Sequence, residues 1–372
     1  MERISLSQLF TLTVFFQIGT TIIFGFGAST GKDAWIATII SIILGTAAIG
    51  LYLTLSYLNP GLTLVEWFPE QFGKWIGTPI AWLYPLLFLY EAGRVLNDVK
   101  YLSTSLILEG TPYWSVIVLF LLAVTYIQLC GIEVLGRVGE IFLPYFLFMI
   151  VIIIILLLVG DLLKGENLQP VLQNGWQPIL KSSFPLGASQ GFAQTLEFAM
   201  IWTLVHSNYK NIVKTTCYAT IFSGFIILVT VLMMIMGLGE SYFKMEIFPM
   251  FSLVSKVDVG EVIKNLNVFA VLLFVISAIF KISLHIYFAI RGIQLLTGMK
   301  KSRKLIFFIF ILSIYLGYSI SNNIQEHLQV AFEIFPYNLW LVLLWIVPFL
   351  LLFVTLIRKL MAKGKYFGKL KE

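Results

Sequence analysis

Six charged side chains fall well inside long apolar runs of this sequence: Glu91, Arg94, Asp98, Lys100, Glu197 and Lys281. A lone charge at mid-bilayer costs about 2.5–3.5 kcal/mol on insertion scales, so such groups must face a protein interior and find partners or a ligand there. Their formal charges sum to zero, as pairing requires. Glu91, Arg94 and Asp98 fall at i, i+3 and i+7, which on an α-helix puts them on one face within roughly 60°. That face is either an arginine–carboxylate clamp that fixes the helix or part of a site that senses a ligand or handles a proton. Lys100 lies on the opposite side, nearer the headgroups. Ser277, Lys281 and His285 form a second stripe at i, i+4 and i+8. No nucleophile–base pair, phosphate loop or metal-ligand spacing occurs, and Cys130 and Cys217 stand in neither a metal nor a redox arrangement. The chemistry on offer is recognition of charge, with no enzyme activity, cofactor, metal or nucleic-acid partner expected.

The backbone carries a second kind of signal. "QIGTTIIFGFG", residues 17 to 27, puts Gly19, Gly25, Gly27, Thr20 and Thr21 in a place where a lipid-spanning helix should be strongest. "PLGASQGFAQTLEF" does the same later, with Gly187, Ser189, Gln190 and Gly191 close together. Such glycines either let a neighbouring helix approach or mark a true interruption.

The elements that must carry these groups are membrane helices. Of 372 residues, 59% are hydrophobic and 12% charged, with a mean hydropathy of +0.92, far from the roughly 25% charge of soluble domains. Apolar runs of about twenty residues predict ten spans at 8–29, 34–57, 79–108, 114–132, 138–160, 184–205, 213–237, 265–292, 305–320 and 336–357. The first reads as an uncleaved span. The third and eighth are unusually long. Lys and Arg concentrate in loops on the N-terminal side, including "KKSRK" at 300–304 and the tail "RKLMAKGKYFGKLK", so both termini are expected in the cytoplasm. The tail serves as a topology anchor or holds anionic lipid. Trp35, Trp75, Trp114, Tyr113 and Trp340, with His206 and His327, stand near span ends and read as interfacial.

Ten spans divide into two inverted halves of five: 1–160, an extracytoplasmic connection at 161–183, and 184–360, followed by the basic tail 361–372. Matching features support the division. Spans 1 and 6 are both interrupted, spans 3 and 8 are long and charged, and amphipathic stretches follow spans 2 ("NPGLTLVEWFPEQFGKW") and 7 ("FPMFSLVSKVDVGEVIKNL"). Interrupted spans in corresponding positions point to a midplane binding site. Unwinding near Gly19 would offer N–H groups to a carboxylate, and unwinding near Gly187–Gly191 would offer carbonyls to an ammonium, so the site suits an amino acid.

"QIGTTII", "NPGLTLVEWFPEQFGKWIG", "RVLNDVKYLSTSLILEGTPYW" and "GFAQTLEF", in this order and spacing, resemble the GerAB-type B subunit of bacterial spore germinant receptors. These belong to the amino acid–polyamine–organocation superfamily with its LeuT-like fold. The resemblance implies an all-α, ten-helix membrane protein of the spore inner membrane that senses an amino acid or similar small germinant. It works beside an A subunit and a lipoprotein C subunit. It implies a functional acid at Glu197, for a ligand ammonium or a proton, against the alternative of a partner for a cation on another helix. In the fold it resembles, span 8 packs near span 1 where sodium-coupled members hold their ion. Lys281 would then replace the ion, unless it is a structural partner for Glu197 or loose carbonyls. The ligand set expected is Gln17, Gly19, Thr20, Thr21, Arg94, Asp98, Gly187, Ser189, Gln190, Gly191 and Glu197. The chain departs from the superfamily at Thr20 and Thr21, where transporters carry further glycines. The β-branched pair stiffens the break, which weighs against the alternative function, a proton-coupled amino acid transporter.

Overall fold

The computed structural model describes residues 3–257, 267–300 and 303–369, with side chains described to residue 361. Part of "KKSRK", the second half of the stretch after span 7 and the side chains of most of the basic tail therefore lie outside what is described. Among the described residues the fold is helical, and the one strand-like feature is an isolated parallel bridge between Ile4 and Val205.

The chain enters α1 (Leu6–Ile18) through a capping box, in which Ser5 and Gln8 each accept the other's backbone N–H at 3.0 Å. A short α2 (Thr21–Phe24) continues the span. Next come α3 (Ala34–Leu58) and α4 (Leu64–Phe72), the latter capped by Thr63 and Glu66. The amphipathic α4 buries Leu64, Val65, Trp67 and Phe68 and packs along the start of α5 (Lys74–Leu102). The approach is close because Gly77 has no side chain: a Cβ there would strike the Phe68 carbonyl and the Pro69 nitrogen. After α6 (Tyr113–Cys130) and α7 (Ile132–Val159), α8 (Trp176–Ser182) leads into an irregularly wound stretch to Leu204. Then follow α9 (Tyr209–Leu238), α10 (Glu240–Met245), α11 (Pro249–Ser255), α12 (Asn267–Thr297), α13 (Arg303–Ser319), α14 (Ile324–Gln329) and α15 (Val347–Lys369).

Among the described residues, seven helical segments are long and apolar enough to cross a membrane, or eight if α13 and Ile324–Ile334, bent by 106° to each other, form one crossing. Two stretches expected to span do not pass that test, for different reasons. At 29 residues α5 is long enough, but Glu91, Arg94, Asp98 and Lys100 interrupt its apolar sequence. The stretch from Ser183 to Leu204 is wound as π- and 3-10-type turns instead of an α-helix. Length does not single out α5 and α12, because α9 has 30 residues against their 29 and 31.

Burial sorts the helices. The first span is 83% buried, whereas α6, α7 and the last span are 33% buried and turn most of their apolar surface outward. Against α1 pack α9, α7 and α12, and α12 runs along α5. The charged helix α5 thus lies inside the bundle. At the end away from the N-terminus an ion cluster ties loops together. Glu240 accepts from Lys244 at 2.7 Å and pairs with Lys32 at 3.3 Å, while Asp33 accepts the Leu172 N–H at 2.9 Å. The hydrogen bond from Lys244, helped by that charge and by Lys32, holds the Glu240 carboxyl below the usual 4.5 despite partial burial.

Gly77→Ala should lower the unfolding temperature in detergent, by overpacking worth about 1–3 kcal/mol, whereas Gly50→Ala, with open space at its Cβ, should not. A depressed carboxyl adds stability that is complete above its unfolded value and is lost as pH falls through the lower folded value. The stability gap between the wild type and Glu240→Gln should therefore be open near neutral pH and close below the usual glutamate range, as read by thermal unfolding across that window.

Candidate functional site

The first expected interruption exists, whereas the later segment departs from α-helical winding without opening at the residues expected. Helix α1 stops at Gly19, whose φ of 43° and ψ of −137° favour a residue without a side chain, and the next turn closes with Ile23 N–H on the Thr20 carbonyl at 3.1 Å. In the later stretch the extended residue is Phe184 (φ −139°, ψ 134°). Residues 187–191, where unwinding was expected, are instead π-wound. Gly187 serves packing, since a Cβ would strike Ser41 and lie 2.9 Å from the Ser182 carbonyl oxygen, whereas Gly191 meets only ordinary contacts.

Lys281, 4% exposed, fills the space left by Gly19. Its Nζ would stand 3.2 Å from a Cβ there, bonds to the Gln190 carbonyl at 3.4 Å and sits 5.4 Å from the Phe16 ring. Lys281 therefore links the break at Gly19 to the π-wound turns at Gln190, with Glu91, Glu197 and Asp98 within electrostatic reach. One turn along the same face of α12, His285 Nδ1 meets Glu197 Oε2 at 2.9 Å, both groups fully buried. That face is the Ser277–Lys281–His285 stripe, although the sequence gives no sign that its histidine is the partner of Glu197.

Of the two readings of the α5 face, the arginine–carboxylate clamp does not form. The Trp340 indole donates to Glu91 at 2.5 Å. Asp98 accepts the Thr20 hydroxyl at 2.7 Å and meets His327 Nε2 at 2.7 Å. With its carboxylate neighbours so engaged, Arg94 lies over the Phe335 ring at 5.2 Å, and its Nε and Nη1 are buried with no hydrogen-bond partner. Three residues read as interfacial lie inside: His327, Trp340 and Lys100, the last bonded to the Ser321 carbonyl at 3.2 Å. Bending between α13 and α14 folds that region back over α5, a turn that periodicity does not foretell. Trp75 and Trp114 are exposed as expected.

Gln17 is committed. Its amide donates to Thr195 at 2.8 Å and Thr220 at 3.0 Å and accepts from Ser223, tying the first span to the irregular stretch and α9. Ser189 accepts the Trp345 indole N–H at 2.9 Å. Thr21 is buried beside the break, and Gln190 contributes its carbonyl. Two cavities, of about 820 and 570 Å³, lie away from these residues. The larger, lined by Arg3, Glu133, His206 and Arg291, sits at the N-terminal end, and the smaller, lined by Tyr242, Met245 and Phe248, sits at the opposite end.

Residues 3–326 match the family model described as "Spore germination protein". The chain belongs to the spore germination protein family. Spore germination protein KB of Bacillus subtilis (strain 168) is 29% identical over 96% of this chain and 95% of its own length. Spore germination protein A2 of the same organism is 25% identical over 88% of this chain and 87% of its own. Together with the apolar helices, these matches identify a multi-pass membrane protein of the germinant-receptor B-subunit type, a family of receptors and permeases and not of enzymes.

Asp98→Leu should leave the Thr20 hydroxyl and the His327 ring unpaired inside the bundle, at about 1–3 kcal/mol per stranded group. Asp98→Asn, which keeps an acceptor for Thr20, should cost less, as measured by thermal unfolding of the two variants side by side.

Proposed function

We propose that this chain is the nutrient-sensing membrane subunit of a spore germination receptor, binding an amino acid or similar small nutrient at mid-membrane. Binding shifts the bundle between two arrangements, by no more than the difference in the nutrient's affinity for them. The observation that carries the reading is the meeting of two interrupted segments across one buried ammonium, Lys281, in a chain of the spore germination family. Uninterrupted helices would leave no backbone groups to rearrange at that depth.

On this reading α5 and the stretch through Leu204 complete a ten-crossing bundle of two inverted five-helix repeats. Both termini face the cytoplasm, and the chain sits in the spore inner membrane beside an A subunit and a lipoprotein C subunit. Lys281 supplies the positive charge that a sodium ion would bring, so nutrient binding is sodium-independent. One observation favours the alternative of a proton-coupled transporter: the buried Glu197–His285 pair can share a proton. Concentrative uptake of a labelled amino acid into proteoliposomes, driven by a pH gradient, would decide for transport.

Gly19→Leu should abolish the germination response while the protein still accumulates in the membrane, because the side chain needs a disfavoured φ and the space of Lys281. Glu197→Gln should weaken the response. Normal germination in both variants would remove the broken segments from the nutrient site, and binding that rises steeply with sodium and is unchanged in Lys281→Met would remove Lys281 from the ion's role.

A further inference from the structure

The place where an incoming ammonium would meet the later segment is taken, since the Gln190 carbonyl accepts Lys281. The charged ends of a nutrient therefore need other partners, and one cluster beside the breaks has bonds left to make. Arg94 is 9% exposed, and its Nε and Nη1 are shielded from solvent without an acceptor. The rings of Phe335 at 5.2 Å and Trp340 at 6.0 Å flank the guanidinium, but a ring face does not replace an acceptor for each N–H. Glu91, one turn away on α5, already takes the Trp340 indole N–H, and the Gln194 side chain lies beside it. Gln194 is 2% exposed, and its Oε1 is a buried acceptor with no donor. Unmade donors on a cation and an unmade acceptor thus flank a single carboxylate. Buried groups of this kind cost free energy until something meets them.

We infer that Arg94 and Gln194 form the two poles of a nutrient subsite. Arg94 donates to the carboxylate of a small α-amino acid, and Gln194 Oε1 accepts from its ammonium, with Glu91 as countercharge. This rests on the nutrient-binding reading and narrows it: side chains of α5 and of the irregular stretch, instead of freed main-chain groups, read the ligand's charges. The class of ligand follows, a zwitterion with adjacent ends. A simple amine lacks the partner that Arg94 needs, and a simple carboxylate lacks the one that Gln194 needs.

The full chain, purified in detergent, is screened by thermal shift against the twenty L-amino acids. Each one that binds is then measured by calorimetry beside its C-terminal amide and its des-amino analogue. The wild type should prefer the acid to the amide by about 30-fold, the usual scale for hydrogen bonds to charged groups. Arg94→Gln should erase that preference by losing affinity for the acid while binding the amide as before. Gln194→Leu should weaken the amino acid and leave the des-amino analogue unchanged. These comparisons use ligand pairs on one folded variant, so reduced stability alone does not reproduce them. If an amino acid binds but acid-over-amide preference survives in Arg94→Gln, the subsite is wrong and the nutrient reading stands. If none of the twenty binds but a sugar or nucleoside does in the same thermal-shift screen, the subsite is wrong and the nutrient reading stands; if neither class binds, both fail.

Discussion

Charge buried in an apolar bundle constrains this molecule more than any other single factor. Water is absent from the hydrocarbon region, so each ionised group on the inner helices needs a partner there, and the partners available determine which segments meet. Lys281 is the central case. It reaches past Gly19 to the Gln190 carbonyl and so ties the first span to the irregular stretch at mid-bundle. Glu197, Asp98 and Glu91 are each met by a different helix, through His285, His327 and Trp340. The inner helices are thus fastened by polar contacts between elements distant in sequence, while α6 and α7 are held largely by apolar packing.

That division of labour explains what the sequence reveals and what it conceals. Composition and apolar periodicity identify the membrane class and most of the long helices, because they depend on local residue content. The glycine at position 19 marks a real break for a local reason too, since a positive φ with a crowded neighbour admits little else. Partners are another matter. Glu91, Arg94 and Asp98 share a face, and proximity along one helix suggests that they bind each other. Yet each carboxylate is taken by a residue about 230 to 250 positions away, a pairing that no local pattern encodes.

The misreadings near span ends have the same root. His327 and Trp340 sit where hydropathy falls, as interfacial residues do, but the 106° bend after α13 carries that part of the chain back over α5. At Gly187–Gly191 the signal was a run of small residues, which serves either an open backbone or close packing. At Gly187 it serves packing against Ser41, and the extended residue is Phe184, whose type gives no hint of it.

The short bridge at the N-terminal end has a mechanical corollary. Ile4 donates to the Leu204 carbonyl at 3.1 Å and accepts from His206 at 3.0 Å, two residues before the bundle's first turn of helix begins. The lower end of the irregular stretch and the leading edge of the chain are therefore stitched as one body. Any tilt of the former hauls the latter along, so whatever is fused ahead of Arg3 rides on the same lever.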